Sequence, residues 1–256
     1  MFTFSEAQLV AWLSPILWPF LRILAVFTAA PVFSSRGFPV RARIALAFFI
    51  ALAAQASLEG QAVVSIDGPE ALGAVVQQVA VGLSIGFMVR LIFAAVELAG
   101  EVVGFQMGLN FAAFFDPASN TQSSAVARFF GQMVTLLFVV MNGHLMVISA
   151  VVRSFETFPT NQNFLQALAH MKLYEFGSEL FASGLWIALP MIGMLMFVNL
   201  GLGIVSRVAP QMNIYAIGFP VTLSVGLVGI AVTLPMLDQP FMALMERGIT
   251  LFSRHM

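Results

Sequence analysis

The chain has 256 residues, 60% of them hydrophobic and 9% charged, with a formal net charge of −1 and a mean hydropathy of +0.95. Soluble domains carry roughly 25% charged residues, so this composition excludes a soluble fold, and lipid or other membrane subunits must serve as its solvent. The near-neutral balance offers nothing to nucleic acid, and the absence of cysteine removes disulfides, thiolate nucleophiles, iron–sulfur clusters and Cys-ligated zinc.

Apolar runs define the segments, and in lipid such runs fold as helices because the backbone must satisfy its own hydrogen bonds. The first run begins near Ala7 and ends near Phe33, interrupted by Arg22. It is too long for a cleavable signal peptide and follows Glu6 rather than a basic cluster. A short run covers Ile44–Leu58, about 22 Å as a helix against a hydrocarbon core of about 30 Å. The third, from Ala71, passes through Arg90, Glu97 and Glu101 and ends near Phe115. The fourth, Phe129–Val152, is broken only by His144, and the last two cover Leu180–Ser206 and Val208–Leu237, with Pro190 and Pro220 inside them. At about 20 residues per crossing, the chain has room for five or six. The loop arginines disagree with a plain serpentine path. Arg36, Arg41 and Arg43 place the first loop in the cytoplasm, yet six crossings put Arg247 and Arg254 outside. Hairpins that do not fully cross reconcile the two. The expected fold is all-α, a single membrane domain of helical hairpins with broken helices.

Chemistry-bearing residues are few. Arg90, Glu97 and Glu101 fall on one narrow face of a helix, where buried charge is costly and normally paired. They read as interhelix or intersubunit polar contacts; a proton relay would need a second polar helix facing them, and the sequence offers no good candidate. His144 reads as a hydrogen-bonding residue on an apolar helix, and His170 and His255 make no metal pair with it. Ser149 lies near His144 without a nucleophile elbow, which leaves an intramembrane serine protease poorly supported. No catalytic, metal or cofactor site is expected. Gly100, Gly104 and Gly108 recur every four residues, the spacing that lets helices approach closely. After them Phe111, Phe114 and Phe115 crowd ahead of Asp116 and Pro117. This reads equally as an ordinary helix end stopped by proline or as bulky side chains that close a passage by dewetting, with Met107 beside them.

Four stretches carry a family resemblance: PVFSSRGFPVRARIALA, GFQMGLNFAAFFDP, NGHLMVISAVVRSFETFP and RVAPQMNIYAIGFPVTLSVGL. In order and over nearly the whole chain they resemble the FliR family of flagellar type III export-gate proteins, which has virulence-injectisome counterparts. The resemblance implies a non-enzymatic subunit that completes a ring with FliP and FliQ in the bacterial inner membrane. FlhB lies at its cytoplasmic entrance, FlhA is a further partner, and the rod and basal body stand above. Unfolded flagellar substrates pass through the centre. It implies a FliP-like part over about 1–175 and a FliQ-like hairpin over about 176–256. It also implies a plug over about 104–124, with Met107, Phe111, Phe114, Phe115, Asp116 and Pro117 as the closing residues. Arg207, Gln211 and Asn213 then read as intersubunit or interhelix contacts, and Pro210 and Pro220 as the bend of the last hairpin. A secondary transporter, which should show inverted repeats, is the reading from another class.

Overall fold

In the computed structural model the described residues are 6–55, 58, 64–109, 124–160, 173–211 and 213–253. Every regular element among them is a helix, as a lipid solvent requires. In chain order these are α1 (Glu6–Ala29), a single turn α2 (Pro31–Ser34), α3 (Val40–Gln55), α4 (Ala71–Gln106), α5 (Ala125–Val140) and α6 (Gly143–Thr157). Then follow α7 (Leu173–Val208), α8 (Ile214–Thr233), a 3-10 turn (Leu234–Met236) and α9 (Asp238–Ser253).

Four of these, α1, α4, α7 and α8 with its 3-10 extension, are long and apolar enough to cross a membrane, and α5 with α6 makes a fifth only if taken as one broken span. The count is thus four, or five with the broken pair, and falls short of six for two physical reasons. With 16 residues, α3 is about 24 Å long and falls short of the hydrocarbon thickness. The run at 129–152 is interrupted at Asn142, whose left-handed backbone (φ 56°, ψ 29°) separates α5 from α6. Proline does not break the chain where expected: α7 continues through Pro190 and α8 through Pro220, each losing one backbone donor without ending its helix. The 36 residues of α4 and of α7 give each about 54 Å, well beyond one hydrocarbon core.

The chain forms two compact units that interleave along the sequence. One contains Met1–Leu91, Val139–Phe176 and Met245–Met256; the other contains Ile92–Phe138 and Gly177–Leu244. The chain passes between the units at 91, 138, 176 and 244.

In the first unit α1 lies against α4 through glycines. A β-carbon at Gly82 would strike the carbonyl oxygen of Arg22, and one at Gly86 would come within 2.8 Å of the Val26 carbonyl and 2.6 Å of the Ala29 β-carbon. The seam is filled by Ile23, Val26, Phe27, Ile85, Met88 and Val89, all buried. Phe27 stacks on Phe33 with ring centroids 4.2 Å apart. Along α3 the buried positions are Ala47, Ala51 and Ala54, a row of small residues on one face, while Ile44, Phe48, Phe49 and Leu52 are exposed.

The second unit uses the same device. Gly100 of α4 meets Ala127 and Phe130 of α5, and Gly184 of α7 meets the Ala95 carbonyl and Leu98 of α4. Gly226 and Gly229 of α8 receive the side chains of Met107 and of Met191 and Met194. Phe93 holds the edges of Phe138 and Phe241, at centroid distances of 5.5 and 6.1 Å. Within the chain, α7 is covered least: 17% of its apolar window is buried, against 61% for α4, and Trp186, Phe197 and Leu200 are exposed. So much uncovered apolar surface needs lipid or sister subunits around it.

The glycine seams make a direct prediction. Gly82→Ala should destabilise the detergent-solubilised protein by about 1–3 kcal/mol, the usual cost of overpacking, because backbone stands in the way. Gly73→Ala, with nothing within 4 Å of the new carbon, should be neutral or stabilising by up to about 1 kcal/mol. Thermal unfolding of the two variants checks the contrast.

Candidate functional site

Among the described residues, three polar places stand out, each inside one unit. The first surrounds Arg22, a fully buried guanidinium on α1. Its Nε donates to Gln78 Oε1 of α4 at 2.7 Å, Nη1 to Ser154 Oγ of α6 at 2.9 Å, and Nη2 to the Phe158 carbonyl at 2.7 Å. The Phe155 ring lies 3.5 Å from its central carbon. Phe158 is the C-cap of α6, where unsatisfied carbonyls and the negative end of the helix dipole favour a cation. Gln77 Nε2 donates to the next carbonyl, that of Pro159, at 2.9 Å. Two adjacent side-chain positions of α4 and one of α1 thus receive the end of α6. Ser154 Oγ in turn donates to the Val151 carbonyl at 2.6 Å.

The second place is the end of α4. Gly108 has φ +78°, which the absence of a side chain permits. Its N–H donates to the Phe105 carbonyl at 3.0 Å, and the Leu109 N–H donates to the Gly104 carbonyl at 3.1 Å. This pair of bonds is a Schellman motif with glycine at the left-handed position. Met107, immediately before it, is fully buried; its side chain packs on Gly226 of α8, and its carbonyl accepts from Thr222 Oγ1 at 3.3 Å. The chain is picked up again at Ser124, which N-caps α5 through Oγ accepting from Ala127 N–H at 3.0 Å. The Ser124 N–H donates to Glu101 Oε2 at 3.0 Å. A β-carbon on Gly104 would lie 2.8 Å from Ser124 Oγ. Residues 109 and 124 are therefore held at one end of the α4–α5 pair, with 14 intervening residues.

The third place is an open groove of about 540 Å³ between α4 and α5. Glu97 and Glu101 line it from α4, Arg128 and Gln132 from α5, and Ala127 and Gly131 stand between them. Gly131 makes room for the Glu97 carboxylate, since a β-carbon there would lie 2.9 Å from Oε1.

The sequence-derived residues distribute as follows. Gly100 and Gly104 face α5, whereas Gly108 caps α4 instead of extending that packing row. Glu97 and Glu101 share the groove, and Arg90 is exposed on the part of α4 that belongs to the first unit. His144 is half-buried on α6. Arg207 and Gln211 are exposed, and Pro210 lies in the turn between α7 and α8. Asn213 is the N-cap of α8, its side chain accepting from Ala216 N–H. Pro220 lies within α8 rather than at that turn. Met107 is an interior anchor of the second unit; Phe111, Phe114, Phe115, Asp116 and Pro117 lie outside the described residues, as do His170 and His255.

Sequence reasoning missed two things. Arg22 registered only as an interruption of an apolar run, although Gln77–Gln78 is a second polar pair in an equally apolar run. The second is the pair beside Glu97 and Glu101: Arg128 and Gln132 of the otherwise apolar α5 repeat their four-residue spacing. The spacing is visible in the sequence, but Arg128 stands one residue ahead of the apolar run that begins at Phe129.

A protein built this way, from apolar helices joined by glycine seams and by buried polar anchors, is a helical integral membrane protein. Residues 13–248 match the model of the bacterial export proteins, family 1. The chain is 41% identical over 237 residues to the flagellar biosynthetic protein FliR of Escherichia coli strain K12, covering 93% of this chain and 90% of that protein. It is also 41% identical to that of Pectobacterium carotovorum (94% and 92% covered) and 30% identical to that of Bacillus subtilis (82% of each). The chain belongs to family 1 of the bacterial export proteins, the family of the FliR proteins.

Arg22→Ala strands the Gln78, Ser154 and Phe158 acceptors in an apolar core, at about 1–3 kcal/mol for each buried group left unpaired. The expected loss is roughly 3 kcal/mol or more, seen as a collapse of the detergent-resistant fold. Ser154→Ala removes two bonds, the one accepted from Arg22 and the one donated to Val151, leaves one guanidinium N–H unpaired, and should cost about 1–3 kcal/mol.

Proposed function

We propose that this chain is a non-enzymatic subunit of the flagellar protein-export gate, embedded in the bacterial inner membrane within the flagellar basal body. It completes a ring with FliP and FliQ, meets FlhB at the cytoplasmic entrance and FlhA beyond it, and lines the path of unfolded flagellar proteins toward the rod. Membership of the export-protein family supports the transport role, and the flagellar names of the similar proteins support the flagellar system. The poorly covered faces of α7 and α8 fit a subunit that buries them against neighbours.

Within this reading the plug lies over about residues 104–124. The observation that carries it is the clamped base. Leu109 is fixed by the Schellman motif and by Met107 beneath it, and Ser124 by Glu101 and its own cap. A segment with three phenylalanines, Phe111, Phe114 and Phe115, suits the closing of a passage when both of its ends are held. Met107 acts as the footing of the plug, while the phenylalanines make the seal.

Replacing Phe111, Phe114 and Phe115 together by alanine should leave assembly intact and make the resting membrane permeable to ions and small solutes, with a several-fold rise in dye or ion leak. Wild-type tightness in a correctly assembled triple variant would remove the plug assignment. Loss of export in a strain lacking the chain tests the broader role separately.

A further inference from the structure

The turn that opens α3 carries three cations and no anion. Arg36 lies between α2 and α3, and Arg41 and Arg43 lie in the first turn of α3, which holds no acidic residue. The sequence has no aspartate or glutamate between Glu6 and Glu59. Among the described residues none of these three guanidiniums has a salt bridge or a side-chain hydrogen bond. Arg36 and Arg41 are exposed, while Arg43 is half-buried, its Nε withdrawn from water without an acceptor. The helix start disfavours such charges, because it is the positive end of the dipole. The Arg43 N–H donates to the Pro39 carbonyl at 3.0 Å, and the three N–H groups ahead of it have no acceptor within the helix. An anion placed there offsets both the guanidiniums and the helix terminus. The turn itself is anchored: Phe38 meets Phe33 edge-on at 6.1 Å, and Phe33 stacks on the buried Phe27.

An apolar stripe runs on from these cations. At about 100° per residue, Arg41, Ile44, Phe48 and Leu52 share one side of α3. All four are exposed, away from the buried row of Ala47, Ala51 and Ala54. From Arg41 to Leu52 the helix rises about 16 Å, close to half of a hydrocarbon core of about 30 Å. A cationic head above an apolar stripe one leaflet deep has the shape of a phospholipid's complement. Free phosphate would use the charges alone, and an acidic peptide would leave the stripe without an apolar cover.

We propose that Arg36, Arg41 and Arg43 bind the headgroup of an anionic phospholipid whose acyl chain lies along Ile44, Phe48 and Leu52. The lipid belongs to the cytoplasmic leaflet, the side that loop arginines select, where each basic residue adds to the attraction for anionic headgroups. This rests on the membrane placement given above and is independent of the export role. The phosphate accepts from the guanidiniums and from the start of α3, and the short helix gains an apolar cover that the chain itself does not supply.

The test uses the tagged full-length chain, purified in mild detergent with the subunits it retains and reconstituted into phosphatidylcholine nanodiscs containing some phosphatidylglycerol. Lipids kept through gentle re-extraction are quantified by mass spectrometry. The wild-type chain should enrich phosphatidylglycerol over phosphatidylcholine about tenfold. Arg36→Gln, Arg41→Gln removes two exposed charges, so thermal unfolding in pure phosphatidylcholine should match wild type while the enrichment falls about fivefold or more. Arg36→Lys, Arg41→Lys keeps the charge and should keep most of the enrichment. Leu52→Gln, which alters no charge, should lower it by a smaller factor. A photo-crosslinking residue in place of Phe48 should capture phosphatidylglycerol. Equal retention of the two lipids by the wild-type chain would overturn the proposal, as would unchanged enrichment in the double glutamine variant. Displacement of the lipid by millimolar inorganic phosphate would make this a site for free anions, and a crosslink to an acidic protein segment would make it a subunit contact; either result overturns it.

Discussion

The first unit depends on one buried guanidinium. A charge in an apolar, lipid-facing protein is tolerated when its donors find acceptors, and three partners of Arg22 come from three different places: Gln78 of α4, Ser154 of α6 and the carbonyl that ends α6. These acceptors are neutral, so the positive charge is balanced by dipoles: the amide, the hydroxyl, the helix terminus and the face of Phe155. Direction follows from this. Apolar packing of Ile23, Val26 and Phe27 against Ile85 and Met88 is non-directional, and would tolerate a helix slipped by a turn. A forked donor with fixed geometry does not. Gly82 and Gly86 then bring α1 and α4 close enough for that fork to reach.

The second unit solves a different problem, that of holding the two ends of a long connection. The hydrogen bonds at Gly108 and Leu109 stop α4, Met107 ties that end to α8 through Gly226 and Thr222, and Ser124 starts α5 under the hand of Glu101. Most of the contacts are short-range consequences of residue type. Glycine takes the left-handed position, serine caps, and a carboxylate sits at a helix N-terminus. They need no long-range design beyond the glycine seam at Gly100 and Gly104.

Much of this was legible in the sequence, and what was not has a physical explanation. Apolar length alone placed α1, α4, α7 and α8, because lipid leaves the backbone no alternative to helix. The shortness of α3 was likewise visible in Ile44–Leu58. The break at Asn142 was hidden, since asparagine followed by glycine in an apolar run marks a turn only when the chain adopts the left-handed backbone there. Pro190 and Pro220 pointed to breaks that the helices absorb. Gly108 looked like the third member of a packing row because spacing cannot distinguish a glycine inside a helix from one just past its end. The partners of Arg22 lie 56, 132 and 136 residues away in sequence, beyond the reach of any local pattern. The groove was half visible: Glu97 and Glu101 stood out, but Arg128 sat at the edge of the next apolar run and was counted out of it.

The separation between Arg22 and its acceptors bears on how the protein is made. When α1 leaves the ribosome, Ser154 and Phe158 have yet to be synthesised, so its arginine enters the bilayer without the groups that will satisfy it. An arginine at mid-helix costs roughly 2.5–3.5 kcal/mol on insertion. The first helix is therefore a reluctant passenger until the sixth arrives, and the chain acquires a built-in order of maturation: early segments stay provisional, and the unit locks when its last contributor lands.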